Sequence, residues 1–205
     1  MPERALGIAE VLYGVGFRSI EVPLNSPQPF ASIAALASGL PRDCLVGAGT
    51  VLDIDGVRST HAAGGRLVVA PNFDEAVVAQ ALRMTMQVLP GIATATEAFA
   101  ALRAGATQVK LFPASSHGPR HLQALRTVLP EEINIFPVGG VTADQIPEWL
   151  AAGAAGFGFG SELFRPEYSL AEIDRRARLI VQAFRDARRR REASASPTTI
   201  IGATA

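Results

Sequence analysis

The only lysine of the chain stands in an apolar segment that is typical of a buried strand. Lys110 lies between Val109 and Leu111, and Pro113 ends the segment after Phe112. A buried lysine is costly unless it serves a function, and a lysine that forms an ion pair or extends its ammonium to solvent is the ordinary alternative. Apolar surroundings lower the pKa of a lysine, and the resulting free amine can attack a carbonyl group to form a Schiff base.

A glutamate in another predicted strand is a candidate for the proton transfers that such chemistry requires. Side chains alternate along a strand, so Lys110 shares a face with Phe112, while Glu21 points away from Ile20 and Val22. Because the apolar faces suit a layer of helices, we expect Lys110 and Glu21 to face the interior of a barrel. A simple ion pair between them is the structural alternative, whereas an amine beside a carboxylate is typical of a class I aldolase.

The elements that must position these residues alternate regularly. A short β-branched segment followed by an alanine-rich amphipathic segment recurs about every 20–25 residues. We predict strands at 19–24, 44–51, 66–71, 86–91, 107–113, 133–140 and 156–161. We predict helices at 2–16, 30–40, 54–64, 73–84, 95–105, 119–129, 142–153 and 169–190. Such alternation requires a parallel sheet, because parallel neighbours need a crossover connection.

The predicted fold class is α/β, as a (β/α)8 TIM barrel that lacks its first strand in this chain. An open doubly wound sheet is less favoured, because no GxGxxG follows the first predicted strand. The barrel domain is expected to cover residues 1–190. Residues 191–205 are mostly small and polar and are predicted to form a disordered tail.

Two glycine-rich segments follow the last two predicted strands. They read VGGVTAD at 138–144 and FGFGSEL at 157–163. Glycine lets the backbone approach a ligand closely, and free N–H groups favour an anion. The loops after the last two strands of such barrels often hold phosphate, so these segments together indicate a phosphate site.

Composition and charge disfavour several classes of partner. The chain has 19 basic and 19 acidic residues, so its net charge favours neither nucleic acid nor an anionic membrane. No apolar segment is long enough to span a membrane, and no signal-peptide pattern opens the chain. The single cysteine, Cys44, excludes an intramolecular disulfide and is consistent with the cytoplasm. The three histidines lack metal-ligand spacing, so we expect neither a metal nor another cofactor.

Seven segments together resemble the aldolases of 2-keto-3-deoxy-6-phosphosugar acids. They are IEVPLNSP, GAGTVL, APNFDEAV, PGIATATEAFAALRAGA, VKLFPASSHGP, FPVGGVTADQ and FGFGSEL. The resemblance implies that Lys110 forms the Schiff base and that Glu21 transfers protons. It also implies a phosphorylated keto-acid substrate and a homotrimer. The residues that it places at the substrate are Thr50, Pro71 and Phe112 near the keto acid and Gly139, Gly140, Gly160 and Ser161 around the phosphate.

Two positions differ from the commoner gluconate branch of this family and resemble the galactonate branch, whose substrate is the C4 epimer. Asn25 and Ser26 stand where the gluconate branch usually has Arg-Thr, and Val138 stands where it has threonine. A valine offers no hydrogen bond to a C4 hydroxyl. We therefore expect cleavage of 2-dehydro-3-deoxy-6-phosphogalactonate to pyruvate and D-glyceraldehyde 3-phosphate. The gluconate epimer as substrate, and a non-catalytic barrel that binds phosphorylated sugars, are the alternatives.

A third difference concerns the start of the chain. Members of the family usually begin with one more strand, which ends in an arginine close to the pyruvate carboxylate. Here the first predicted element is the helix at 2–16. Since a missing strand would leave two parallel edges unpaired, we expect Met1 to be a misassigned start that omits about 15–25 residues.

Overall fold

Helices and parallel strands alternate along residues 2–194, the part of the chain that the computed structural model describes. The strands are β1 (Ser19–Pro23), β2 (Leu45–Gly49), β3 (Leu67–Val69), β4 (Gln87–Leu89), β5 (Gly91–Ile92), β6 (Gln108–Leu111) and β7 (Asn134–Pro137). The α-helices are α1 (Pro2–Val15), α2 (Pro29–Gly39), α3 (Ile54–Ala62), α4 (Glu75–Arg83), α5 (Ala95–Arg103), α6 (Ala114–Arg126), α7 (Ile146–Ala151) and α8 (Leu170–Ser194). A short 3₁₀ helix, Ala143–Gln145, precedes α7.

The strands pair in chain order into one curved parallel sheet. β1 to β4 form consecutive pairs, and so do β5 to β7. β4 and β5 are two halves of one strand interrupted at Pro90, which has no N–H to donate, although its carbonyl accepts a 2.9 Å hydrogen bond from the Lys110 backbone. Beyond β7, Val138 continues the ladder through a parallel bridge to Gly158.

The strand ladder of residues 2–194 stays open between Gly158 and β1. The helix layer is continuous across this opening, because α1 packs against both α2 and α8. The molecule is therefore a TIM-type barrel in which the outer layer surrounds the sheet more completely than the inner strands do. The predicted α/β barrel is confirmed, and its opening lies where the sequence predicts one strand too few.

Two apolar clusters hold the sheet and the helices together. The larger one lies between the strands and α2 to α6, and includes Ile33, Val68 and Leu122, all with no exposed surface. The smaller one joins α1, α7 and α8, and includes Ile146 and Ile173. Complete burial of such a side chain stabilises the folded state by about 1.5–3 kcal/mol. The helices beside the opening in the strand ladder are therefore held together by a well-packed apolar cluster.

Side-chain caps determine where three helices begin next to the C-terminal ends of the strands. The Asp53 carboxylate accepts a hydrogen bond from Gly56 N at 2.7 Å, and Asp74 accepts one from Val77 N at 2.9 Å. Thr94 forms a reciprocal capping box with Glu97 at the start of α5. Each cap satisfies N–H groups that a helix leaves unpaired, so the loops that follow β2, β3 and β5 have defined ends.

The structure differs from the predicted elements at three places in the second half of the chain. α6 begins at Ala114 rather than 119 and contains one non-helical residue, Gly118, with φ 73° and ψ 168°. The strand predicted at 156–161 is reduced to the single bridge at Gly158. α8 continues to Ser194, past the predicted domain boundary at 190. The rest of the predicted tail, 195–205, lies outside the described residues.

Candidate active site

Lys110 lies near the C-terminal end of β6, on the face that lines the barrel interior. It pairs in register with Gly91 on one side and Phe136 on the other, and only 6 % of its surface is exposed. Its Nζ lies 4.7 Å from the centroid of the Phe112 ring. Within residues 2–194, Nζ has neither a hydrogen-bond acceptor nor an ion-pair partner, so the amine is free to meet a ligand.

Glu21 lies in the middle of β1, on the strand that borders the opening. Glu21 as a whole residue is exposed through the opening, whereas its carboxylate is enclosed on the side of Gly49 in β2. The burial raises the pKa of Glu21 above its ordinary value, and the charge of Lys110 partly opposes this. Burial lowers the pKa of Lys110, and the charge of Glu21 partly opposes that shift. The surroundings therefore favour the neutral form of each group.

This combination has a definite chemical capacity. A lysine whose pKa is lowered holds more free amine at neutral pH, which is the nucleophilic form. A carboxyl group whose pKa is raised can be protonated near neutral pH and can act first as an acid and then as a base. No ion pair within residues 2–194 joins Lys110 to Glu21 directly, so neither group is neutralised by the other through a direct contact.

Thr50 and Pro71 follow β2 and β3 at the same end of the barrel. Thr50 has φ 56°, a left-handed conformation that is an outlier for a β-branched residue. The next residue, Val51, donates its N–H to Val69 O at 3.1 Å and thereby fastens the chain after the strained position. Thr50 is half-buried, and its hydroxyl has no hydrogen-bond partner within residues 2–194. Both residues follow the C-terminal ends of their strands, the same end at which Lys110 lies in β6.

The glycine segments at 138–144 and 157–163 lie side by side because Val138 bridges to Gly158. Gly139 and Gly140 have φ 94° and 76°, conformations that favour glycine. The N–H groups of Gly140, Gly160 and Ser161 donate to no group within residues 2–194. Unpaired N–H groups at adjoining chain turns form the kind of cradle that binds an anion.

Glycines on neighbouring strands make room for the large side chains of the interior. A Cβ on Gly158 would lie 2.7 Å from Val138 Cγ2, and a Cβ on Gly139 would lie 3.0 Å from the Phe112 ring. A Cβ on Gly49 would lie 2.7 Å from the Glu21 carboxylate. Sequence reasoning did not single out Gly49 or Gly158, although both alternate with other glycines along their segments, which is the signal that could have identified them.

Two further observations limit the chemistry of the described residues. No group of three or more His, Cys, Asp or Glu side chains within 2–194 could hold a metal ion. No helix in the same range is both long and apolar enough to cross a membrane. His117 and His121 stack with ring centroids 4.7 Å apart, and His121 Nε2 lies 2.6 Å from Ala93 O, so their described contacts are with protein groups.

Comparison with known proteins places this arrangement among aldolases. The 2-dehydro-3-deoxy-6-phosphogalactonate aldolase of Escherichia coli strain K12 is 43 % identical over 186 residues, which is 91 % of each chain. The solved native KDPGal structure superposes with a TM-score of 0.90 at 42 % identity, covering 92 % of each chain.

Two other solved structures are informative. A chain of a cube-shaped protein cage, designed by fusing symmetric oligomeric domains, matches with a TM-score of 0.93 at 42 % identity, covering 95 % of this chain and 72 % of that one. The KDPG aldolase of Legionella pneumophila, with pyruvate captured as a covalent carbinolamine, matches with a TM-score of 0.76 at 27 % identity over 91 % of this chain and 89 % of that one. The family model for KDPG and KHG aldolase matches residues 2–177, and the chain belongs to this aldolase family.

Proposed function

We propose that this protein is a class I aldolase that cleaves 2-dehydro-3-deoxy-6-phosphogalactonate to pyruvate and D-glyceraldehyde 3-phosphate. The observation that carries the proposal is the Lys110 amine, which is buried, has no hydrogen-bond or ion-pair partner within residues 2–194 and interacts electrostatically with Glu21. A surface lysine would be protonated and would not form a Schiff base readily. The captured carbinolamine in the Legionella pneumophila relative supports the same type of chemistry.

The reaction follows from the two groups in turn. The neutral Lys110 amine attacks the C2 carbonyl, and protonated Glu21 gives its proton to the departing hydroxyl, so that water leaves and an iminium forms. Glu21, now a carboxylate, takes the proton of the C4 hydroxyl as the C3–C4 bond breaks and its electrons move to the iminium. Glyceraldehyde 3-phosphate leaves and an enamine remains. Protonation of the enamine at C3, followed by hydrolysis, releases pyruvate and restores the amine.

The remaining site residues divide between the two ends of the substrate. Thr50, with its unpartnered hydroxyl, and Pro71 would line the keto-acid end, and the Phe112 ring would form a wall beside Lys110. The unpaired N–H groups near Gly140 and Ser161 would receive the phosphate. Two distinct sub-sites at the ends of the strands suit a six-carbon acid that carries a phosphate at C6.

The choice of epimer is supported by Val138 and by relatedness. Val138 is half-buried at the interior surface and offers no hydrogen bond to a C4 hydroxyl. The Escherichia coli galactonate enzyme is 43 % identical over 91 % of this chain, whereas the Treponema pallidum gluconate enzyme is 34 % identical over 73 % of it. The gluconate epimer is therefore the second candidate substrate.

We propose a homotrimer, as the family resemblance implies; a symmetric oligomer is consistent with the 42 % identical chain from a cage designed by fusing symmetric oligomeric domains. We propose an aldolase domain over residues 1–190 followed by a tail over 191–205, with α8 extending four residues past that boundary to Ser194. The assignment to the cytoplasm rests on the single Cys44, which is a buried free thiol.

Trapping with borohydride tests the proposal. Incubation with pyruvate and borohydride should add one reduced pyruvyl group, which peptide mass analysis locates at Lys110. Lys110→Met serves as the control and should acquire no adduct. A coupled assay on the two epimeric substrates should show faster cleavage of the galactonate compound. Folded wild-type protein that acquires no adduct would be a non-catalytic sugar-phosphate binder instead.

A further inference from the structure

The interior face of β2 ends in a glycine, Gly49. The carboxylate of Glu21 occupies the space where a side chain at this position would begin. Gly49 is the last residue of β2 and pairs in register with Pro23 of β1. A Cβ placed on Gly49 would lie 2.7 Å from both Cδ and Oε2 of Glu21, and 2.8 Å from Oε1. Real Cβ atoms do not approach other atoms so closely, so the carboxylate occupies space that any other residue at position 49 would take.

Backbone conformation does not explain this glycine. Gly49 does not have a φ in the left-handed range, in contrast to Gly139 and Gly140. An alanine could therefore adopt the same backbone without strain. The requirement at position 49 is for space alone, and all three of the nearest atoms to the added Cβ belong to the carboxyl group of Glu21.

The neighbouring Gly47 shows what a structural requirement looks like on the same strand. A Cβ on Gly47 would lie 1.9 Å from the carbonyl oxygen of Leu67, which is backbone of the adjoining strand β3. The ladder would have to separate to admit it. At Gly49 the obstructing group is instead the end of a flexible side chain that is accessible to solvent, so it can rotate away without disturbing the sheet.

We propose that Gly49 is a positioning residue. Because it has no side chain, the Glu21 carboxylate can occupy the place from which it transfers protons to and from the intermediates that form on Lys110. The proposal rests on the proposed function. An alanine at 49 displaces the carboxylate towards the open side of the barrel and leaves the fold intact. A misplacement of about 1 Å in a reacting group can lower a rate by about 100-fold, so a small substitution has a large catalytic effect here.

Exchange of the methyl hydrogens of pyruvate with deuterium isolates the step that Gly49 affects. Lys110 forms the iminium of pyruvate with loss of water, Glu21 removes a methyl proton to give the enamine, and deuterium from solvent returns to the same carbon. Trapping by borohydride reports the iminium alone. A substitution at Gly49 should slow the transfer of the methyl proton more than it slows formation of the iminium. Deuterium exchange should therefore fall further than borohydride trapping does.

The test compares Gly49→Ala with wild type, with Gly47→Ala and with Gly14→Ala, where an added Cβ in α1 meets nothing within 4 Å. Gly49→Ala should keep its melting temperature and should still form the pyruvate adduct given longer incubation, with kcat and deuterium exchange reduced by about 10- to 100-fold and KM changed little. Gly47→Ala should melt about 5 °C or more lower. Gly14→Ala should retain wild-type exchange.

Non-additivity gives a second readout. Glu21→Asp shortens the acid and should itself slow exchange, but combining it with Gly49→Ala should cost less than the two separate losses together, because the shorter side chain avoids the added methyl. Wild-type exchange in Gly49→Ala would overturn the proposal, and so would a loss of folding like that of Gly47→Ala. Absence of a pyruvate adduct in wild type would instead overturn the proposed function.

Discussion

Lys110 on β6 and Glu21 on β1 interact electrostatically although their strands are not neighbours in the sheet. Burial favours the neutral form of each group. The charge of each group partly offsets this effect on the other, because the carboxylate favours the ammonium and the ammonium favours the carboxylate. The desolvation effect remains the larger one for both groups. The pKa of Lys110 is therefore shifted down and that of Glu21 up, each in the direction of the neutral form that the start of Schiff-base formation needs.

Glu21→Gln should remove the proton-transfer group while preserving the shape of the side chain. Turnover should fall by about 10²- to 10⁴-fold, the usual effect of losing a general acid–base. The adduct with pyruvate and borohydride should still form, given longer incubation, since the nucleophile is intact. Steady-state assays and mass analysis on the same preparation measure both effects. Near-normal turnover would reduce Glu21 to an electrostatic partner of Lys110.

The lowered pKa of Lys110 should appear in the pH dependence of stability. Between the lowered folded pKa and the ordinary value of 10.5, the unfolded chain binds more protons than the folded one, so the free energy of unfolding rises with pH. Lys110→Met lacks this contribution. We expect wild type to gain stability relative to Lys110→Met as the pH rises through that interval, measured by urea unfolding of both proteins. A constant difference would mean that the lysine has an ordinary pKa.

Val138→Thr should shift the choice of epimer. The new hydroxyl can donate to or accept from a C4 hydroxyl, and one such hydrogen bond contributes about 0.5–1.5 kcal/mol, or roughly 2- to 10-fold in rate. The ratio of kcat/KM on the gluconate and galactonate substrates should move towards gluconate by about that factor. An unchanged ratio would indicate that C4 is recognised elsewhere, and Asn25 after β1 would be the next position to vary.

Ser161→Asp should weaken binding of the phosphate end alone. Ser161 is exposed beside the unpaired N–H groups of the last turn, so a carboxylate there adds repulsion without burying a charge. KM for the phosphorylated substrate should rise about tenfold or more at low ionic strength, and the effect should weaken with salt. The pyruvate adduct should form at the wild-type rate, because pyruvate carries no phosphate. Equal KM values would place the phosphate away from Ser161.

Local patterns in the sequence determined which residues face the interior. The alternation of side chains along 19–24 and 107–113 was sufficient to put Glu21 and Lys110 on the lumen side, because the pleat of a strand is a local property. The regular spacing of strands and helices determined the barrel class for the same reason. The start of α4 at the Asp74 cap is a local feature of the same kind, since a helix start depends on a few adjacent residues.

Only the tertiary structure decided how these elements meet. The break of one predicted strand at Pro90, the reduction of the last strand to a bridge at Gly158, and the closeness of Gly49 to Glu21 all depend on the register between strands far apart in the chain. Register is set by packing across the whole sheet, and a glycine carries no side chain whose chemistry could reveal its neighbour. For this reason the sequence identifies Lys110 and Glu21, whereas the space that positions the carboxylate becomes visible only when β1 and β2 are paired.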